Sequence, residues 1–371
     1  MPTLYDPFTA GDLTLANRIV MAPLTRNRSP NAVPGEFAVS YYTQRASAGL
    51  LITEGTAITQ QGQGYSDVPG LYAPGQLARW REVTDAVHAA GGKIAVQLWH
   101  VGRVSHNALQ PGGAAPVAPS AIRAKSRTFL VGPEGTGGFV ETSEPRALET
   151  GEIAGIVADY ARAAKAAVED AGFDGVEIHG ANGYLVDQFL RSGSNQRTDE
   201  YGGSIANRAR FLFEVVDAVA GAVGAGRTGI RISPVTPAND ASDPDPQPLF
   251  EHVARGLGPR GLAFIHVVEG ATGGDRNHQQ GEAPFDYAAL KAAWRDNGGA
   301  GAWMVNNGYT REMAEEAVAS GHADLVSFGK LFIANPDLVR RFRERLDLNT
   351  PDTATFYGGG AKGYVDYPVA V

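Results

Sequence analysis

The chain has 371 residues, 43% of them hydrophobic and 19% charged. That is enough apolar material for a sizeable core and argues against disorder. The formal net charge is -8 with no basic block, which makes nucleic acid or an anionic membrane surface a poor partner. There are no cysteines, so disulfides, thiolate zinc sites, thiol nucleophiles and Cys-held iron–sulfur clusters are excluded. The opening MPTLYDPF has no basic stretch followed by an apolar one, and no apolar run reaches the ~18 residues of a membrane span. A cytoplasmic protein is therefore expected.

Eight short runs rich in Val, Ile and Leu recur along the chain, as for strands buried on both faces. In order they are RIVMAPLT from Arg18, GLLITEGTAI from Gly49, KIAVQLWH from Lys93, FDGVEIHG from Phe173, TGIRISP from Thr228, LAFIHVVEG from Leu262, AWMVNNG from Ala302 and DLVSFGK from Asp324. Stretches of helical spacing lie between them, at about Leu77–Ala90, Ile205–Val223, Pro248–Leu257 and Arg311–Ser320. The clearest helix precedes the fourth run. Thr150 is its expected cap, Ile153, Ile156, Val157, Tyr160, Ala164 and Val168 share one face, and Gly172 ends it.

Eight β/α units in series predict a single (β/α)8 TIM barrel spanning residues 1–371. Such a barrel needs only about 250 residues, so long loops carry the surplus. The longest runs from Val101 to Glu149. Alternation in RTFLVG and GGFVETS predicts a hairpin there, inserted after strand three and covering the barrel mouth. A doubly wound open sheet is disfavoured by the strand count and by the missing GxGxxG turn.

Active sites of this fold lie at the C-terminal strand ends. Those ends offer Pro23, Leu24 and Thr25, Gly55, Gln97 to His100, His179 to Tyr184, Arg231, Asn306 to Gly308, and Gly329 with Lys330. The set is rich in hydrogen-bond donors and poor in carboxylates. It lacks the carboxylate pair of a glycosidase and the His/Asp/Glu cluster of a metallohydrolase, so no metal ligands are assigned. A donor-rich mouth suits an anionic, electron-rich ligand. Gly308 and Gly329 would let backbone N–H groups approach a phosphate, with Lys330 supplying charge.

Seven segments carry a resemblance: APLTRNRS (Ala22–Ser29), QLWHVGR (Gln97–Arg103), HGANGYLVDQFL (His179–Leu190), NQRTDEYGGSIANRARF (Asn195–Phe211), RISP (Arg231–Pro234), FGKLFIANPDL (Phe328–Leu338) and FYGGGAKGYVDYP (Phe356–Pro368). Together, and in this order over almost the whole chain, they resemble the Old Yellow Enzyme family. The resemblance implies non-covalently bound FMN and a hydride from NADPH or NADH. It implies reduction of an activated C=C bond in an unsaturated carbonyl or nitro compound. His179 and Asn182 would hold the substrate oxygen, as in an oxyanion hole, and Tyr184 would protonate the α-carbon. Arg231 would face the pyrimidine end of the flavin. Gln97 and Thr25 would tune its ring, with Pro23 and a Gly55 backbone contact beside them. Lys330, Gly329, Gly308 and Asn307 would surround the phosphate. Trp99, Tyr357 and Phe356 would wall the substrate pocket. Lys330 departs from the family's usual Arg, and a lysine lacks the bidentate fork.

Blander readings compete. Tyr184 could simply pack over the mouth, Thr25 could cap a turn, and Gln97 could satisfy a backbone group. His100 and His266 are read as structural. The YGGS turn, with Ser204 as a cap and Arg197, Asp199, Asn207 and Arg208 as a loop-fixing network, is read as structural too. The Asp- and Pro-rich loop from Thr236 to Gln247 carries no functional reading. Nitro or nitrate-ester reduction at the same site, and a metal-assisted hydrolase on the same barrel, are the alternative activities. The oligomeric state, monomer or homodimer, stays open.

Overall fold

The computed structural model describes every residue except Pro133 and Glu282. Each of the eight apolar runs forms a strand. They are β1 (Ile19–Met21), β2 (Leu50–Ala57), β3 (Ile94–Trp99), β4 (Gly175–Gly180), β5 (Thr228–Ile232), β6 (Phe264–Val268), β7 (Ala302–Asn306) and β8 (Leu325–Phe328). All pair in parallel, each with its sequence neighbours, and β8 closes on β1. Every residue of these strands is buried. This explains their continuous rather than alternating hydrophobicity: one face meets the helices and the other fills the barrel.

The helices bear out most of the predicted spacing, with shifts at their ends. Ile205–Val223 stands as predicted, and Ser204 Oγ accepts from Asn207 N at 3.2 Å. The predicted 248–257 helix starts earlier, at Pro246, where proline's missing N–H costs nothing. The Thr150 cap is corrected. Thr150 is already helical, in Thr150–Glu169, and Glu149 occupies the cap position. Glu152 accepts from Glu149 N at 2.8 Å, while Thr150 Oγ1 donates to Asp199 Oδ2 at 2.6 Å. That bond ties the helix to the YGGS loop. There, Arg197 pairs with Asp199 and a Cβ on Gly202 would lie 2.1 Å from the Arg197 carbonyl oxygen. The loop is a structural brace, as expected.

Two apolar layers sandwich the strands. Outside, Ile153, Ile156, Tyr160 and their counterparts on the other helices pack on the barrel. Inside, at the N-terminal end, Val20, Leu50, Ile52, Ala95, Phe264 and Met304 fill the lumen. A hairpin of Phe8–Ala10 and Leu13–Leu15, which the sequence reading missed, plugs that end with Ala10, Leu13 and Leu15. Each fully buried Val, Leu, Ile, Phe or Met among them contributes ~1.5–3 kcal/mol. The C-terminal end of the lumen is polar instead. Between β3 and β4, Arg127–Val131 and Gly137–Glu141 pair as an antiparallel ribbon.

Candidate active site

Strand register places the polar end of the lumen. His179 on β4 lies level with Arg231 on β5, and Arg231 level with His266 on β6. Gly55 on β2 lies level with Gln97 on β3, and Gln97 with Glu177 on β4. Above these rows opens a cavity of about 400 Å³, within the size range of cofactor sites. Every residue singled out as a site candidate borders it: His179, Asn182 and Tyr184; Pro23, Thr25, Gly55 and Gln97; Arg231; Asn307, Gly308, Gly329 and Lys330; Trp99, Phe356 and Tyr357.

The β4 end presents three groups. His179 is 4% exposed, and burial, with Arg231 and His266 adding, holds its imidazole well below the ordinary value. It is therefore neutral at physiological pH. Its Nδ1 faces the Ala181 N–H at 3.4 Å, which leaves the proton on Nε2. Asn182 sits at φ +59, the left-handed turn that lets its side chain follow His179 into the cavity. Tyr184 meets His179 edge-on, with ring centroids 4.9 Å apart, and Trp99 likewise at 5.0 Å. Its hydroxyl lies 3.1 Å from that of Tyr65. Burial raises the Tyr184 pKa, so the phenol keeps its proton. Trp99 is sandwiched against Tyr65 at 5.6 Å and 14°. A Cβ on Gly55 would lie 2.6 Å from the Trp99 ring, so this glycine is required for packing whatever its backbone touches.

Arg231 is the charged group of the cavity wall that best suits a flavin. It is 6% exposed, its guanidinium donates to Asn306 Oδ1 at 2.7 Å, and its buried Nε has no partner among the described residues. Among the described residues it forms no ion pair. A buried cation with a spare donor is costly unless an electron-rich acceptor meets it, and the pyrimidine edge of FMN is such an acceptor. Beneath it runs a buried chain. Gln97 Nε2 donates to Glu177 Oε1 at 2.8 Å, Glu177 Oε2 meets His266 Nδ1 at 2.7 Å, and His266 Nε2 meets Ser327 Oγ at 2.7 Å. His266 is thus structural, as expected. Gln97 borders the cavity, and its amide is anchored to the Glu177 side chain rather than to a backbone group.

At the β7 and β8 ends Asn307, Gly308, Gly329 and Lys330 border the cavity. Asn307 and Gly308 have φ +103 and +65, which turns the chain sharply at the rim. The Asn307 side chain is spent elsewhere, donating to Glu269 O at 2.7 Å and Ala271 O at 2.8 Å. Lys330 is exposed, its Nζ donating to Gly273 O at 2.9 Å.

Phe356 and Tyr357 ride on a C-terminal strap clamped from the β1 end. Arg26 Nε donates to Phe356 O at 2.9 Å and Arg28 Nη2 to Thr355 O at 2.9 Å. Tyr357 is 56% exposed, a rim residue rather than an enclosed wall. Phe129 and Val131 of the β3–β4 ribbon border a second groove that meets the cavity at Tyr357; they do not line the cavity itself.

Beneath Arg26 lies Glu54, whose Oε2 accepts from Arg26 N at 3.1 Å. Burial pushes its carboxyl up to about 7, against the pull of Arg26 and Arg28. A raised folded-state pKa means that the native protein holds this proton more tightly than the unfolded chain. The resulting stability is complete below the ordinary value of 4.5 and is lost as pH rises through about 7. Glu54→Gln is therefore expected to flatten the fall in Tm between roughly pH 5 and pH 8. Parallel Tm profiles for variant and wild type would overturn this assignment.

Sequence reading missed Tyr65, Thr272, Gly273, Gly274, Tyr309 and Ser327. The last five border the cavity, and Tyr65 touches it through Tyr184. The Gly-rich stretch GATGGDR after β6 was the available signal for Thr272 to Gly274. Among the described residues, no group of three or more His, Asp or Glu is placed to hold a metal ion, and no helix is long and apolar enough to cross a membrane.

Residues 3–349 match the NADH:flavin oxidoreductase / NADH oxidase family. The chain is 45% identical to 12-oxophytodienoate reductase 7 of Oryza sativa subsp. japonica, over 98% of this chain and 94% of that protein. Morphinone reductase superimposes with a TM-score of 0.93 at 47% identity, covering 100% of this chain and 96% of that one. The Old Yellow Enzyme homologue from Zymomonas mobilis does so with a TM-score of 0.92 at 41% identity, covering 100% of both chains. Matched over nearly its whole length by this family and by these relatives, the chain belongs to the Old Yellow Enzyme family of FMN-dependent oxidoreductases.

Proposed function

We propose that this protein is an NAD(P)H-dependent ene-reductase that reduces activated C=C bonds of unsaturated carbonyl or nitro compounds. The observation that carries this reading is the grouping at one strand end of a neutral imidazole, an amide and a protonated phenol, all on the cavity that holds the Arg231 guanidinium. Morphinone reductase has been seen in complex with tetrahydroNAD, which supports a nicotinamide as the reductant.

FMN held in the cavity would supply hydride chemistry, with NADPH or NADH as the source of the hydride and the substrate's β-carbon as its destination. Arg231, Gln97, Thr25 and Pro23 would hold the ring, and Lys330 with the backbone at Asn307, Gly308 and Gly329 would hold the phosphate. His179 Nε2–H and Asn182 Nδ2–H would both donate to the carbonyl or nitro oxygen. Negative charge builds on that oxygen as the β-carbon is reduced, so donors fixed in advance lower the barrier. Tyr184 would donate its proton to the α-carbon, and Tyr65, hydrogen-bonded to it, positions the hydroxyl. Trp99, Phe356 and Tyr357 would bound the substrate, and the β3–β4 ribbon would extend that boundary beside Tyr357. Residues 1–371 would act as one FMN-binding unit.

An anaerobic visible spectrum of the purified holoprotein tests this. The flavin absorbance should bleach with NADPH or NADH and return on adding cyclohexenone. Absence of flavin after FMN has been supplied, or bleached flavin that the enone does not reoxidise, would sink the proposal.

A further inference from the structure

Asn182 can serve as a donor only if its amide nitrogen, not its oxygen, faces the cavity. The two ends of an amide have nearly the same shape, so packing alone does not choose between them. The choice is made by a chain of hydroxyls behind it. Thr272 Oγ1 donates to Asn182 Oδ1 at 2.6 Å. Thr236 Oγ1 donates to Thr272 Oγ1 at 3.2 Å. Thr236 Oγ1 in turn accepts from two backbone groups, Thr272 N at 3.1 Å and Ala238 N at 3.4 Å.

The direction of this chain follows from its far end. A backbone N–H is always a donor and cannot be reversed. A hydroxyl has two lone pairs and one proton. With both lone pairs of Thr236 Oγ1 facing N–H groups, its proton has one remaining direction, toward Thr272. Thr272 Oγ1 then accepts on that side and sends its own proton to Asn182. The Asn182 atom that receives it must be the oxygen. Among the described residues, Asn182 Nδ2 has no protein acceptor, so both its protons are free for the cavity. A second set of contacts fixes the backbone beneath. Ser233 Oγ accepts from Asn182 N at 2.8 Å, and Asn239 Nδ2 donates to Asn182 O at 2.9 Å.

We infer that Thr272 and Thr236 are positioning residues that hold the Asn182 amide with its nitrogen toward the substrate. The inference rests on the proposed role of Asn182 as an oxyanion donor. It gives a function to the loop beginning at Thr236, for which the sequence offered none. It also gives a role to Thr272, which borders the cavity beside Asn182 and acts on the substrate through that amide.

Removing the Thr272 hydroxyl in Thr272→Val frees the amide to turn and present its oxygen. A ligand that only accepts, such as 4-nitrophenolate, should then bind about 10-fold or more weakly, the cost of one oriented donor replaced by a repelling oxygen. The test is calorimetric titration of 4-nitrophenolate into the FMN-loaded protein, run as a double-mutant cycle with Asn182→Ala. Thr272→Val should weaken binding in the wild-type background and have no further effect in the Asn182→Ala background. Thr272→Ser should bind within about threefold of wild type, since it keeps the hydroxyl. Thr236→Val, one step back, should weaken binding in the same Asn182-dependent way and serves if Thr272→Val does not retain flavin. Full affinity in Thr272→Val, or an equal loss with and without the Asn182 amide, would overturn the inference. Full affinity in Asn182→Ala would instead overturn the donor role on which it rests.

Discussion

Tyr184→Phe is expected to slow enone reduction by reduced enzyme by about 10²–10⁴-fold, the range for loss of a positioned general acid, while reduction by NADPH or NADH proceeds at the wild-type rate. In the proposed reaction the phenol gives its proton to the α-carbon. It is buried, its pKa is raised by that burial, and hydrogen bonding from Tyr65 and Asn239 pulls the other way without cancelling it. Phenylalanine keeps the ring that packs edge-on against Trp99 and His179 and removes only the hydroxyl. The two half-reactions therefore separate the proton from the packing. Stopped-flow absorbance of the flavin measures both. Equal slowing of the two would assign Tyr184 a packing role, and no slowing of either would place the acid elsewhere.

The paired change His179→Ala with Asn182→Ala should cost enone reduction about 10²–10³-fold or more, since each oxyanion donor removed from a site of this kind is worth that much. The loss should be larger with cyclohexenone than with a weakly accepting alkene, because the donors act on the oxygen alone. The depressed pKa of His179 sharpens this expectation. Being neutral, it donates through Nε2–H without adding a charge, so enone binding should show no step near pH 6.5. A titration step at that pH, abolished by His179→Ala, would show that the histidine acts as a cation. Unchanged rates in the paired variant would remove the donor assignment altogether.

The clamp on the C-terminal strap ties these parts together. Arg26 and Arg28 follow directly on Thr25, which borders the cavity, and their guanidinium groups grip the carbonyls around Phe356. One short segment after β1 thus places both Thr25 and the aromatics of the strap on the cavity. Arg26 also stacks its guanidinium near the Tyr41 and Tyr364 rings, at 5.3 and 5.1 Å, which stabilises a buried charge that makes no ion pair among the described residues. Sequence reading placed these arginines in a family motif without assigning them work. Their partners are carbonyls more than three hundred positions away.

By itself the sequence determined the barrel. Continuous apolar runs mark strands buried on both faces, helical spacing marks what separates them, and both signals are local. It also determined which side chains stand at the strand ends, because the C-terminal end of a parallel strand is known once the strand is known. His179, Arg231, Gln97 and Lys330 all reached the same cavity on that ground. Only the tertiary structure decided what state those groups are in. The neutrality of His179 comes from burial and from Arg231 on the next strand. The spending of the Asn307 side chain on carbonyls of the β6 loop, and the engagement of Arg231 with Asn306, join separate barrel units. The direction of the Asn182 amide depends on hydroxyls 90 and then 36 positions apart in sequence. Strand position follows from the pattern of neighbours along the chain. Protonation and hydrogen-bond direction follow from neighbours in space, and closing the barrel is what brings those neighbours together.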